Sequence, residues 1–200
     1  MTTPFPRVLR RATLATALLA LPLPSLHAAD VAVAGVRFEE KAALGGSELT
    51  LNGAGLRTRM MLKVYAIGLY VPKRGDSLDA IAGSIGPKRI QIVTLRDLTA
   101  EQFADGLIDG LKKNHSDADY AKLQARADEF RNALLGLKSA PSGSQIRIEW
   151  IPSGSTRLIV GNEVRGRDIP GDDFFRALLK IWLGEKPVDS DLKNTLLGKS

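Results

Sequence analysis

The 200-residue chain has no cysteine. It can therefore form no disulfide, and stability must come from packing. Histidine is almost as scarce: His27 lies near the N-terminus and His115 stands alone. With no cysteine and no histidine cluster, the sequence offers no metal site and calls for no cofactor. There is no Gly-x-Ser-x-Gly elbow, which leaves a Ser-His-Asp hydrolase without support. Gly53-Ala54-Gly55 lacks the longer glycine pattern and the Lys-Ser/Thr of a phosphate loop. Beyond the N-terminal segment there is no long apolar run, repeat or low-complexity stretch. The glycines and prolines are spread as turns, so no linker divides the chain. Charge of one sign is also modest. The formal net charge is +6, and it falls to about +3 once Arg7, Arg10 and Arg11 are set aside with the leader described next. That excess is no nucleic-acid footprint.

The N-terminus has the layout of a secretory signal peptide. Arg7, Arg10 and Arg11 form a positive region, Ala12 to Leu23 is uncharged and apolar, and Ser25-Leu26-His27-Ala28 supplies small residues for cleavage after Ala28 or Ala29. The apolar run falls short of the ~20 residues that span a bilayer, and prolines interrupt its end. Residues 1–28 are expected to be a leader and residues 29–200 one domain. The expected address is the periplasm, with no transmembrane segment in the mature chain. About 170 residues are enough for one domain with a real core.

Patterning along the domain predicts an α+β fold. Val31–Phe38 reads as an opening strand and Glu48–Leu51 as a short one. The latter leads to a glycine turn at Gly53-Ala54-Gly55, with Arg57 at its exit. Met61–Val71 is apolar on both faces, as in a strand covered on both sides. Lys63 interrupts it and reads as a strand end or a snorkelling stem. Ser77–Ala82 reads as a short helix and Arg89–Leu95 as a strand. Thr99-Ala100-Glu101-Gln102 is a capping box opening a helix whose stripe is Phe103, Leu107, Ile108 and Leu111. Ser116 opens a second helix with Tyr120, Leu123, Ala127, Phe130, Leu134 and Leu137 at helical spacing. Gln145–Ile151 and Arg157–Val160 form a hairpin around Pro152–Ser155. Asp172 caps a helix through Phe174 and Trp182 that Gly184 stops, and Ser190 opens a last short one. Strands, helices, hairpin, helices is the order of an antiparallel sheet with helices on one face.

Four words of this sequence resemble the chalcone isomerase family, in the same order. They are Gly53-Ala54-Gly55-Leu56-Arg57, Ala66-Ile67-Gly68-Leu69-Tyr70, Leu98-Thr99-Ala100-Glu101-Gln102-Phe103 and Leu179-Lys180-Ile181-Trp182-Leu183-Gly184. Within the family the chain resembles exported bacterial chalcone-isomerase-like proteins, which share the Lys-Val-Tyr and Ile-Trp-Leu-Gly words. The resemblance implies an open-faced β-sandwich: a large antiparallel sheet, a layer of helices, and a ligand cleft between them. In the isomerases, which close chalcones into flavanones, the arginine of the first word matches Arg57. It would face developing negative charge, where a fixed cation acts most strongly. A family threonine matches Tyr65, a family tyrosine matches Phe103, and a family asparagine falls near Gly110. Phe103 and Gly110 have no hydrogen-bonding side chain, so no catalytic residue is assigned.

The family also has a non-catalytic, fatty-acid-binding branch that pairs this arginine with a tyrosine at the position of Tyr65. The resemblance thus implies that Arg57 and Tyr65 receive a carboxylate or similar head group, by a charge-assisted fork and a phenol donor. The tail would lie along Ile67, Leu69, Phe103, Leu107 and Leu111. Arg59 is the alternative ligand residue should the register slip by two. Read without the family, Arg57 and Arg59 are surface charges and Tyr65, Phe103, Trp150 and Trp182 are core residues. The expected function is a binder of a small amphipathic ligand such as a fatty acid. The alternative is an intramolecular lyase acting on a chalcone-like or unsaturated ketone.

Overall fold

The computed structural model describes residues 30–199; the leader expected over residues 1–28 lies outside them. Seven antiparallel strands form the main sheet. They are β3 (Lys41–Leu44), β4 (Ser47–Arg59), β5 (Leu62–Val71), β6 (Lys88–Thr94), β9 (Gln145–Ile151), β10 (Ser155–Val160) and β11 (Glu163–Pro170), in the order β11-β10-β9-β6-β5-β4-β3. Two small two-stranded sheets accompany it: the hairpin of β1 (Val31–Val33) with β2 (Val36–Phe38), and β7 (Leu98–Thr99) with β8 (Ser139–Ala140), which closes around the two helices between them. Among the described residues five helices complete the fold: α1 (Leu78–Ala82), α2 (Ala100–Lys113), α3 (Asp117–Leu135), α4 (Asp172–Leu183) and α5 (Ser190–Leu196). The α+β reading is correct. No described helix is long and apolar enough to cross a membrane.

The central strand β5 explains the layering. Tyr65, Ile67, Leu69 and Val71 point into the main core, beneath Phe103, Leu107, Phe174, Leu178 and Trp182 of the helices. Ala66 and Tyr70 point the other way, into a smaller cluster with Phe38, Leu49, Leu51 and Ala54. The β1–β2 hairpin supplies Phe38, whose ring lies where a side chain on Gly68 would be. Among the described residues, this hairpin and the buried Arg89–Glu149 pair cover part of the outer face. The capping box of α2 forms as expected: Thr99 Oγ1 accepts from the Gln102 N–H, and the Gln102 side chain accepts from the Thr99 N–H.

Several local expectations change. Val31–Phe38 is a hairpin, because Ala34 and Gly35 adopt positive φ and reverse the chain. Met61 belongs to the β4–β5 turn and not to β5. The cap of α4 is Gly171, with φ of 101°, while Asp172 accepts only from the N–H of Asp173. Strands β3 and β11 carry no apolar signal, since both are sheet edges and only Ile169 of β11 is buried.

The largest change concerns Gly53-Ala54-Gly55. It is no turn: β4 runs unbroken through it from Ser47 to Arg59. The glycines are there because α5 lies directly on the strand. A Cβ on Gly53 would come within 2.1 Å of the Thr195 carbonyl oxygen, and one on Gly55 within 2.6 Å of Leu192. Glycine in a strand interior is expected where another backbone approaches this closely. Asn52 ties the same contact, donating to the Leu196 carbonyl at 2.7 Å and to the Gly75 carbonyl at 2.9 Å.

Candidate ligand-binding site

The glycine groove determines where Arg57 goes. Residues 53, 55 and 57 alternate onto the helix-covered face of β4. Helix α5 covers the two glycines, and its N-terminal cap, Asp189, ends beside Arg57. The cross-strand partner of Arg57 is Tyr65, so guanidinium and phenol share one face of the sheet. Arg57 Nη1 donates to the Thr58 carbonyl and lies 3.4 Å from Asp189 Oδ2. Both side chains are largely shielded, at 19% and 16% exposure. Asp189 Oδ1 meanwhile accepts from the N–H groups of Asp191 and Leu192 at 3.1 Å, capping α5. No second carboxylate among the described residues pairs with Arg57, and its guanidinium lies close enough to the Tyr65 hydroxyl to favour the phenolate slightly.

Tyr65 is buried. Its hydroxyl accepts from Trp182 Nε1 at 2.9 Å, which leaves the phenolic proton to be donated. Burial pushes its pKa up to about 12, against the opposing effects of the Trp182 hydrogen bond and the Arg57 charge. Tyr65 is therefore a neutral donor at any ordinary pH, never a phenolate base. Because the folded pKa lies above that of the free side chain, the native state holds this proton more tightly than the unfolded chain. Stability is unaffected below pH 10 and falls by about 2–3 kcal/mol as pH rises through 12. Denaturant melts across this range check the expectation, and Tyr65→Phe is expected to flatten the fall. Tyr70, also buried, is pushed up to about 12 as well and retains its share.

These groups line a cleft of about 530 Å³ between the β4–β5 hairpin and α2. Arg57 and Tyr65 form part of its wall. Val64, Leu98, Phe103, Leu107, Ile181 and Val188 make its apolar inner surface, with Met60 and Leu62 at the turn. A Cβ on Gly106 would meet nothing within 4 Å, so this turn of α2 leaves the cleft open. Arg59 and Arg96 stand at the rim, both exposed. Of the expected tail residues, only Phe103 and Leu107 reach the cleft. Ile67, Leu69 and Leu111 are fully buried in the core beneath it. The cleft lies over the end of the sheet near the β4–β5 turn, and these three sit too deep along their elements.

The sequence profile described as "Chalcone isomerase-like" matches residues 30–198. The chain belongs to this family. No curated protein sequence matches it. Among solved structures, the chain is similar to a fatty-acid binding protein of Arabidopsis thaliana, with 18% identity and a TM-score of 0.62. The match covers 84% of this chain and 96% of the other. At that identity the likeness is one of fold.

Within the chalcone isomerase-like frame, two departures have physical explanations. Phe103 contributes only ring surface to the cleft. Gly110 faces α4 so closely that a Cβ would lie 2.8 Å from Ile181, so no asparagine side chain fits there without moving that helix. Arg57 is the strand partner of Tyr65, while Arg59 pairs with Leu62 beside the turn; both arginines line the cleft. Two site residues escaped sequence reasoning. Trp182 reads as packing, and nothing in its spacing reveals that its N–H meets Tyr65. Asp189 reads only as the residue before a helix start. The one available signal was an acidic N-cap, which says nothing of a partner 132 positions away.

Proposed function

We propose that this protein is a non-catalytic binder of a small amphipathic molecule with an anionic head, a fatty acid being the simplest candidate. The observation that carries the reading is the cation–phenol pair, Arg57 and Tyr65, shielded in the wall of a cleft whose other charged or amide lining residues, Arg59, Arg96, Gln102, Asp105 and Asp109, are all exposed. The guanidinium offers a two-pronged donor for a carboxylate, and the Tyr65 proton adds a third donor. A volume of about 530 Å³ lies within the range of small-molecule sites. The similar fold of the Arabidopsis thaliana fatty-acid binding protein supports the same reading. Export to the periplasm is part of the proposal and rests on the leader-like N-terminus alone.

An intramolecular lyase would need a proton donor or base beyond Arg57. Phe103 supplies neither, the space beside Gly110 is filled, and the Tyr65 phenol, pushed up to about 12 by burial, is a hydrogen-bond donor but neither a base nor a ready acid. Binding is therefore the better-supported reading. Native mass spectrometry of protein taken directly from expressing cells is expected to show a bound lipid-sized adduct, and dodecanoate is expected to raise the melting temperature. Gly106 lines the cleft with open space at its Cβ position, and Gly106→Leu is expected to narrow it and abolish both effects while leaving the fold intact. Absence of both adduct and thermal shift in the unaltered protein would refute the reading.

Asp189 tunes the site. Its carboxylate partly satisfies Arg57 and repels an incoming anion. Asp189→Asn keeps an oxygen to cap α5 but removes the charge. It is expected to tighten dodecanoate binding about three- to tenfold by calorimetry. An unchanged or weaker affinity would mean that the ligand head lies elsewhere.

A further inference from the structure

The tip of the β4–β5 hairpin is the least expected surface of the molecule. Met60, Met61 and Leu62 are 87%, 98% and 53% exposed, three consecutive apolar residues held in water. Cross-strand pairing of Arg59 with Leu62 leaves Met60-Met61 as a two-residue loop. Their φ angles of 49° and 65° make it the tight hairpin turn for which Asn-Gly is the favoured pair. Side chains with a Cβ are disfavoured at positive φ. Two methionines therefore occupy a turn that suits neither their backbone nor their solvent exposure.

The surroundings are basic. Arg59 and Lys63 flank the tip in sequence, and Arg96 lies with Arg59 on the cleft rim; all three are exposed. None of the three is paired with a carboxylate among the described residues. Two carboxylates of α2 line the far side of the cleft: Asp105 is taken by Arg131 at 2.8 Å, and Asp109 is exposed, so the three cations outnumber the one unpaired acid. Met60 and Leu62 themselves line the cleft, so the tip is continuous with its mouth.

We propose that this hairpin tip is a touch-down point on an anionic lipid bilayer. Met61 and Met60 enter the head-group layer, and Arg59, Lys63 and Arg96 meet lipid phosphates. The cleft mouth would then face the membrane, the reservoir of the amphipathic ligand. The purpose of the contact rests on the function proposed above, but the contact itself does not. Flexible methionine side chains suit a disordered interface, and a small apolar tip gains from neighbouring cations on an anionic surface.

The test compares vesicle binding by wild-type protein and by the double variant Met60→Asn plus Met61→Gly, both expressed from the full sequence. They share the same N-terminus, so any difference reports the hairpin. The substitutions place the favoured residues in the turn, and the variant should melt at or above the wild-type temperature. Wild type is expected to bind vesicles containing phosphatidylglycerol about tenfold or more tightly than phosphatidylcholine vesicles, with the preference fading at high salt. The double variant is expected to lose this binding. Met61→Trp should bind at least as well as wild type, with blue-shifted emission that brominated lipid quenches. No binding of wild type to the anionic vesicles, or equal binding by the double variant, overturns the proposal and leaves the tip to a protein partner. Dodecanoate uptake by wild type without vesicles, measured alongside, reports on the cleft alone. A protein that takes up dodecanoate but ignores vesicles loses the docking proposal and keeps the ligand site. One that binds vesicles through its tip but takes up no dodecanoate keeps the docking surface and loses the ligand.

Discussion

Arg57→Ala is expected to weaken dodecanoate binding about tenfold to a hundredfold. The estimate follows from charge-assisted hydrogen bonds, each contributing about 1.5–3 kcal/mol where solvent is partly excluded. The guanidinium is in that situation, with its side chain 19% exposed and one edge fixed on the Thr58 carbonyl and Asp189. Removing it also leaves Asp189 as the nearest charge, which adds repulsion of an anionic head. Arg57→Lys is expected to recover little, because a single ammonium cannot reproduce the two-pronged geometry or hold the same bridging position. Calorimetric titration checks both variants. Their melting temperatures should stay near that of the wild type, since Arg57 packs at the cleft wall and not in the core.

The second large effect concerns the fold and reaches the site through it. Gly53→Ala is expected to cost about 3 kcal/mol or more and to lower the melting temperature by about 6–12 °C. An added methyl would sit 2.1 Å from the Thr195 carbonyl oxygen and 2.9 Å from the Leu196 Cα. Both are backbone atoms of α5, which no rotamer change can move. The helix must lift, exposing Leu192 and Leu196, which are now almost fully buried, and breaking the Asn52 bond to Leu196. Because α5 carries Asp189 at its N-terminus, a lifted helix also shifts the partner of Arg57. Thermal melts measure the first effect, and dodecanoate titration of the folded variant measures the second. A variant as stable as wild type would show that α5 does not rest on the strand as described.

These two residues also show how far the sequence could be read. The word Gly53-Ala54-Gly55-Leu56-Arg57 is visible without a structure, and its family likeness led to the right fold and to a pair of residues that the structure places side by side in a cleft wall. Its physical meaning was not visible. Glycine at alternate strand positions and glycine in a turn look the same in one dimension, and only the approach of α5, some 140 residues later, distinguishes them. Helix caps and central strands were legible because their determinants are local: the Thr99–Gln102 box, the Ser116 cap and the apolar run of β5. Edge strands β3 and β11 were not, since an edge facing water needs no apolar alternation. The cleft was legible only in part. Arg57, Tyr65, Phe103 and Leu107 line it as expected, while Ile67, Leu69 and Leu111 proved to be core. Depth below a surface is a tertiary property, and alternation along a strand gives the face but not the depth. The Trp182–Tyr65 bond and the Arg57–Asp189 contact join residues 117 and 132 positions apart, beyond any local pattern.

The most direct measurement is a chemical double-mutant cycle by calorimetry, titrating wild type and Arg57→Ala with dodecanoate and with its methyl ester. The two ligands share a tail and differ in the charge of the head. If Arg57 receives that charge, wild type prefers the acid over the ester by about tenfold or more, and Arg57→Ala binds the two almost equally. Acid and ester binding wild type with the same affinity, or a preference that persists without the arginine, would contradict the account.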